Sequence, residues 1–291
     1  MRNFTDENIT QAVLASLEGS GDQRVRTISE AVVRHLHALV QEVEPTQQEW
    51  WQAIEFLTET GNFCSATRQE FILLSDALGV SMLVDAINHK REDGTTPTTV
   101  LGPFYYDASD HLPLGSCIAK TESGDLLHVE GTVRRADGSA IENALVEVWH
   151  ADHDGFYDVQ LTDGHDHLDR RAAFRTDQLG RFWFQSRVPL HYPIPNDGPV
   201  GRMLQAQGRH PNRPAHIHFM ITAPSCEKLI THLFLQDDPY LDSDVVFGVK
   251  DDLVVDLVKV SGNTPDGHRL DTPMSLLHYD FVLANAGTDK K

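Results

Sequence analysis

Between residues 93 and 115 the spacing of apolar side chains changes from helical to alternating, and this switch limits the fold more than any other feature of the chain. Before it, Ile28, Val32, Val33, Leu36, Leu39 and Val40 form one helical stripe. Pro45 followed by Thr46-Gln47-Gln48-Glu49 reads as a helix start with a capping box, leading into Trp50, Ile54 and Leu57. A third run, from about Arg68 to His89, carries Phe71, Leu74, Leu78, Met82, Leu83 and Ile87. Residues 5–90 therefore read as three or four helices. Their apolar faces exceed what so short a region can bury, so they are expected to pack on something else, such as a second subunit. The stretch Arg91–Gly115 is punctuated by Gly94, Pro97, Gly102, Pro103, Pro113 and Gly115 and reads as a linker.

Beyond the linker the period is two. Leu127, Val129, Gly131 and Val133 alternate with His128, Glu130 and Thr132, and an Ala136-Asp137-Gly138 turn follows. Further short strand candidates are 145–149, 182–185, 216–222, 229–235, 253–259 and 276–283. The stretches 150–180 and 186–214 read as long polar loops, and loops of that length in a compact domain are usually functional. The expectation is a mainly β chain: an antiparallel β-sandwich catalytic domain over residues 106–291, preceded by an N-terminal helical dimerisation region with its linker over 1–105.

Composition narrows the partners. The chain has 291 residues, long enough to bury a sizeable core without covalent staples. Its 24 basic and 43 acidic side chains give a formal charge of −19, which repels phosphate backbones and anionic headgroups. Nucleic acid and membrane surfaces are poor partners for such a surface. Cys64, Cys117 and Cys226 are scattered and form no CxxC, which argues against a disulfide framework or a thiolate zinc site. With no apolar signal segment in Met1–Thr10, a cytoplasmic setting is expected.

The sharpest local feature is Arg213-Pro214-Ala215-His216-Ile217-His218-Phe219. On a strand, His216 and His218 project to the same face. Two imidazoles make half of a metal site, but imidazole suits Zn, Cu, Fe and Ni alike, so the pair leaves the metal open. Two histidines in a polar cavity or on a solvated face are the plain alternative. No HExxH or acidic cluster accompanies the pair. The loops offer tyrosines instead: Tyr157 in Gly155-Phe156-Tyr157-Asp158, and Tyr192 in His191-Tyr192-Pro193. Phenolate is a hard anionic donor that favours a trivalent ion. Spacing does not single out these two among six tyrosines, and any one of them is commonly a packed ring. The histidines His150, His153, His165 and His167 read as members of a solvated loop.

The run Val129-x-Gly131-x-Val133, then Gly138, Ile141, Val146-Glu147-Val148-Trp149-His150-Ala151 and Gly155-Phe156-Tyr157, resembles the signature of the intradiol ring-cleavage dioxygenases. Arg213-Pro214-Ala215-His216-Ile217-His218 resembles the same family downstream, and the likeness covers nearly the whole chain. It is finer for the hydroxyquinol-cleaving branch, through Phe71–Asp76, Val100–Tyr105, Pro195–Gly201 and Tyr240–Lys250. Thr231-His232 departs from catechol-cleaving relatives, which usually carry Gln there.

The resemblance implies non-haem Fe(III) held by Tyr157, Tyr192, His216 and His218. It also implies that Tyr192 releases the metal and accepts a substrate proton, and that Arg213 stabilises developing negative charge. It places Leu73, Asp76, Leu101, Gly102, Pro103, Phe104, Ile194, Pro195, Arg213 and Val246 around the substrate. The apolar members would sandwich a flat ring, and Asp76 would receive an extra hydroxyl. The reaction implied is O2-dependent cleavage of hydroxyquinol to 3-hydroxy-cis,cis-muconate, with catechol or chlorocatechol as the alternative substrate. A homodimer through the N-terminal helices, with bound phospholipid, is implied as well. A non-enzymatic β-sandwich binding module and a catalytically idle relative are the readings from other classes.

Overall fold

The computed structural model describes residues 3–65, 68–90, 94–106, 110–120, 122–161 and 168–286. Contacts divide the chain into two compact units, Met1–Glu59 and Thr60–Lys291.

The first unit holds α1 (Ile9–Ser16), α2 (Gln23–Val43) and most of α3 (Gln47–Asn62). Asp22 caps α2 by accepting from the backbone N–H groups of Arg24 and Val25, satisfying donors that have no partner within the helix. The helix stops at Glu44, whose φ of 44° is left-handed. The expected capping box opens α3: Thr46 N–H donates to Glu49 Oε2 at 2.8 Å, and Glu49 N–H donates to Thr46 Oγ1 at 3.2 Å. The α2 stripe stays uncovered, with Ile28, Leu36 and Leu39 each about half exposed.

The second unit contains α4 (Glu70–Ala77), α5 (Val80–Asn88), the short α6 (Asp158–Leu161) and α7 (Pro199–Ala206). The third helical run of the sequence is thus two helices, parted at Gly79, whose φ of 73° an α-helix does not accommodate.

The strands are β1 (Leu126–Arg135), β2 (Leu145–Trp149), β3 (Arg171–Arg175), β4 (Arg181–Arg187), β5 (Tyr192–Pro193) and β6 (Asn212–Arg213). They continue with β7 (His216–Thr222), β8 (Leu229–Leu235), β9 (Val254–Val255), β10 (Val258–Asn263), β11 (Arg269–His278) and β12 (Phe281–Leu283). One sheet runs β10-β11-β1-β12 with β4 on the other side of β1, a second runs β3-β2-β7-β8-β9, and β5 pairs with β6 as a two-stranded ribbon. Between the two large sheets lies one apolar core, in which Val129, Phe182 and Phe184 meet Val146, Ile217 and Phe219, all fully buried.

The sheets are mixed, where the sequence suggested antiparallel pairing throughout. β1 runs parallel to both β11 and β12, and β8 runs parallel to β9. The cause is the return of the C-terminal segment along the open side of β1: β11 covers its first half and β12 its second. Between them Tyr279 bulges towards β1, and its carbonyl occupies the place where a Cβ at position 131 would stand, so Gly131 is the residue that admits it. Both faces of β1 are buried, because His128, Glu130 and Thr132 are covered as well as Val129 and Val133.

Candidate metal and substrate site

The side chains singled out in the sequence converge on the outward face of the second sheet. His216 and His218 alternate with the core residues Ile217 and Phe219 on β7, so both imidazoles point away from the core, as period two requires. β5 and β6 pair in register with Tyr192 opposite Arg213, which carries a tyrosine from one loop to the strand that leads into the histidines. Tyr157 arrives on the loop after β2. Gly155 in that loop has φ 84°, and a Cβ there would lie 2.8 Å from the Tyr192 Cβ, so only glycine lets the two loops close together.

The polar tips meet at one point. Tyr157 Oη lies 2.9 Å from His218 Nε2, 3.3 Å from His216 Nε2 and 3.5 Å from Tyr192 Oη. The two Nε2 atoms are 3.1 Å apart. His216 donates Nδ1–H to the Pro214 carbonyl at 2.7 Å, which leaves Nε2 a bare lone pair. Two ring nitrogens and two phenol oxygens thus crowd one buried point. Burial first, and then the Arg213 charge for His216 and the neighbouring His232 for His218, holds both imidazoles well below their ordinary pKa and so neutral. Burial, reinforced by Tyr192, pushes the Tyr157 phenol well above its ordinary value, and burial raises Tyr192 as well.

Four buried donor atoms packed this closely suit a cation at their centre. A transition ion bonded at about 2.0–2.2 Å to such nitrogens and oxygens holds neighbouring ligands roughly 2.9–3.5 Å apart, which is the spacing found. Three imidazoles, of His216, His218 and His232, also lie close enough together to share an ion.

Arg213 is buried and paired with Asp244, at 3.2 Å from each carboxylate oxygen, and its Nη1 lies 3.4 Å from His216 Nε2. Burial alone would lower its pKa, but the Asp244 charge and hydrogen bonds together with Tyr192 and Tyr157 outweigh it, and the guanidinium stays charged. Asp76 is buried on α4 beside Ser81, within reach of the Arg213 field. Burial raises its pKa against the lowering pull of both neighbours. Leu73, Ile194 and Val246 meet in one apolar cluster. Leu101 and Phe104 pack with Tyr157 and Tyr192 in another, where Phe104 stacks on Tyr157 at 4.5 Å. Gly102 (φ 77°) abuts His218, whose Cε1 would stand 3.2 Å from an added Cβ. Pro103 is exposed and Pro195 half-buried, so these two border the site through their neighbours.

Of the four loop histidines, His165 and His167 lie outside the described residues, and His153 is partly exposed. His150 departs from the solvated-loop reading. It directly follows β2 and is buried, donates Nδ1–H to the Ala151 carbonyl at 2.7 Å, and its Nε2 accepts from Ser186 Oγ at 2.7 Å.

Sequence reasoning passed over four residues at the site. Asp244 holds Arg213 in place; its segment Tyr240–Lys250 contributes to the family resemblance, but no role for Asp244 follows from that likeness. Trp149 stacks on the His218 ring at 4.7 Å and 17°. Arg171 and Asp158 form a buried pair beneath Tyr157, with an Arg171 Nη2 donor on the Phe104 carbonyl at 2.8 Å.

The chain belongs to the intradiol ring-cleavage dioxygenases. The dioxygenase family model matches residues 100–285, and the model for the catechol dioxygenase N terminus matches residues 22–96. A hydroxyquinol 1,2-dioxygenase from Rhizobium sp. (strain MTP-10005) is 46% identical over 88% of this chain and 87% of its own. The crystal structure of hydroxyquinol 1,2-dioxygenase from Pseudomonas putida DLL-E4 matches with a TM-score of 0.93 at 45% identity, covering 97% of this chain and 99% of the other. A catechol 1,2-dioxygenase of Candida albicans is more distant, at 34% identity over 92% of this chain and 91% of its own. The chain is thus an enzyme of the intradiol class.

Proposed function

We propose that the chain uses O2 to cleave hydroxyquinol between its adjacent hydroxyl-bearing carbons, giving 3-hydroxy-cis,cis-muconate, with Tyr157, Tyr192, His216 and His218 as the ligands of a ferric ion. The observation that carries the reading is the meeting of two phenols and two neutral imidazoles, with Tyr157 Oη within 2.9–3.5 Å of the other three polar tips and the two Nε2 atoms 3.1 Å apart. Bound there, Fe(III) supplies Lewis acidity that lowers the diol pKa and a template for the ring.

Tyr192 is the phenol nearest a charged donor, since Arg213 sits opposite it in the β5–β6 pair. Tyr192 would accept one substrate hydroxyl proton at Oη, and the Arg213 guanidinium would offset negative charge growing on the ring oxygens. Arg213 cannot lose its own proton, and Asp244 holds it aimed. Tyr157 stays fixed between Phe104 and the imidazoles. Leu73, Ile194 and Val246 with Leu101 and Phe104 offer apolar contact to a flat ring and keep water from it, flanked by Gly102, Pro103 and Pro195. Asp76 is a buried acceptor for the third hydroxyl, which catechol lacks. A site that hydrogen-bonds a hydroxyl rejects the analogue without it, because its own polar group is then stranded.

The two family models, ending at 96 and beginning at 100, support a helical region of 1–105 followed by the sandwich of 106–291. The uncovered α2 stripe supports a homodimer through the N-terminal helices with bound phospholipid. Among the described residues no helix is long and apolar enough to cross a membrane. The proposed setting is cytoplasmic, and the net charge of −19 is the ground for proposing neither nucleic-acid nor membrane partners.

Oxygen uptake by the purified enzyme with hydroxyquinol and with catechol tests the substrate. Faster turnover of hydroxyquinol, with one O2 consumed per ring, is expected. Equal or faster turnover of catechol would overturn the assignment.

A further inference from the structure

The first sheet carries a second histidine-bearing strand whose outward face is covered. On β1, His128 and Glu130 alternate with the core residue Val129, so they point away from the sandwich core, just as His216 and His218 do on β7 of the other sheet. An outward face would normally meet water, yet His128 is 2% exposed and Glu130 0%. The tip of the β10–β11 hairpin folds over them and brings Thr264, Asp266 and His268, with His268 stacked on Trp183 of β4 at 4.3 Å.

Glu130 Oε2 receives three groups at once: Thr264 Oγ1 at 2.7 Å, His268 Nδ1 at 2.9 Å and His128 Nε2 at 3.3 Å. A carboxylate oxygen has two lone pairs, and three groups compete for them here. The same nitrogen–oxygen separations fall in the range set by a shared ion, roughly 2.9–3.5 Å between ligands at bonds of about 2.0–2.2 Å. The ligand atoms of His128, Glu130 and His268 all lie within 4.8 Å of one another, and so do those of Glu130, Asp266 and His278. One further sign points to a missing positive charge: Asp266 Oδ2 is buried with no donor, beside a second carboxylate. Burial holds His128 neutral against the pull of Glu130, so that imidazole does not supply the charge.

We propose that His128, Glu130 and His268 form a second metal site, separate from the Tyr157–His218 centre, that takes a divalent transition ion such as zinc. Two imidazoles and a carboxylate are a nitrogen–oxygen set that suits zinc and leaves a fourth position, with Asp266 and His278 beside it. The ion pins the β10–β11 tip to β1 on the far side of the core from the dioxygenase chemistry, so its role is structural. This inference stands independently of the hydroxyquinol reading.

The test loads the enzyme as purified with zinc, desalts it and measures zinc by elemental analysis, beside a His268→Gln variant. One more zinc per chain in the native protein than in the variant is expected. The native protein should also gain about 5–10 °C in Tm at zinc a hundredfold above its dissociation constant, and the variant should not. Ring-cleaving activity should be the same for both. Equal zinc uptake by the two proteins, or uptake only with loss of activity through the other centre, would overturn the site. A zinc-soaked crystal decides without any variant: anomalous density among His128, Glu130 and His268 supports the site, and its absence there refutes it.

Discussion

Tyr157 and Tyr192 are 35 positions apart, yet their hydroxyls lie 3.5 Å apart, and the substitutions that matter most act on that junction or on what aims it. Asp244→Ala leaves the buried Arg213 guanidinium without its counter-charge. A loss of about 3–5 kcal/mol in unfolding free energy is expected. Denaturant titration measures it, and a loss below about 1 kcal/mol would mean the pair is dispensable. Asp76→Asn keeps shape but removes the charged acceptor. The kcat/KM ratio of hydroxyquinol to catechol should fall about tenfold to a hundredfold, the worth of a hydrogen bond to a charged group. An unchanged ratio would remove Asp76 from substrate recognition. The histidine pair was legible because H-x-H on a strand has one geometric meaning. Spacing did not choose the tyrosines, and only the likeness of their flanking motifs to a family did. Asp244 was illegible for the opposite reason: acidic loop residues are usually solvated, and nothing local marks the one that turns inward.

At the level of elements, the segments 145–149, 216–222 and 229–235 formed strands with the expected bounds, since each is a compact apolar run between turn residues. β3 was missed inside a segment read as loop, because Phe174 is its single large apolar side chain and two alanines and arginines flank it, so no alternation shows. The parallel pairings of β1 with β11 and β12 depend on which distant strand returns beside it, information that no local pattern holds. Gly131 is where this pairing is most exposed to mutation. Gly131→Ala drives a methyl into the Tyr279 carbonyl, and a destabilisation of about 1–3 kcal/mol or more is expected from thermal unfolding. His150, directly after β2, sets an acid limit. Burial lowers its pKa from 6.5 to about 4. The unfolded chain therefore takes up this proton at higher pH than the folded one. The stability it protects is whole above pH 6.5 and drains away as the pH falls towards 4, by about 3 kcal/mol for this group. His150→Gln should flatten that part of the stability–pH curve. An identical slope in both proteins would deny His150 the role.

Across the whole molecule, apolar surface and charge are unevenly used. The α2 stripe of Ile28, Val32, Leu36 and Leu39 remains about half exposed in a chain whose net charge of −19 otherwise favours separation of copies. Light scattering of the native protein should give the mass of a dimer, and Leu36→Lys with Leu39→Lys should give that of a monomer; a native monomer would leave the stripe without a second copy to cover it. The deepest commitment is to a ferric ion bound by two phenolates and two imidazoles. Its most direct measurement is iron content together with the visible spectrum of the native enzyme and of Tyr157→Phe. One iron per chain with a tyrosinate-to-iron(III) charge-transfer band, both lost or strongly reduced in Tyr157→Phe, is the expected result. A colourless native enzyme holding another metal, or a variant that keeps full iron and an unchanged band, would contradict it.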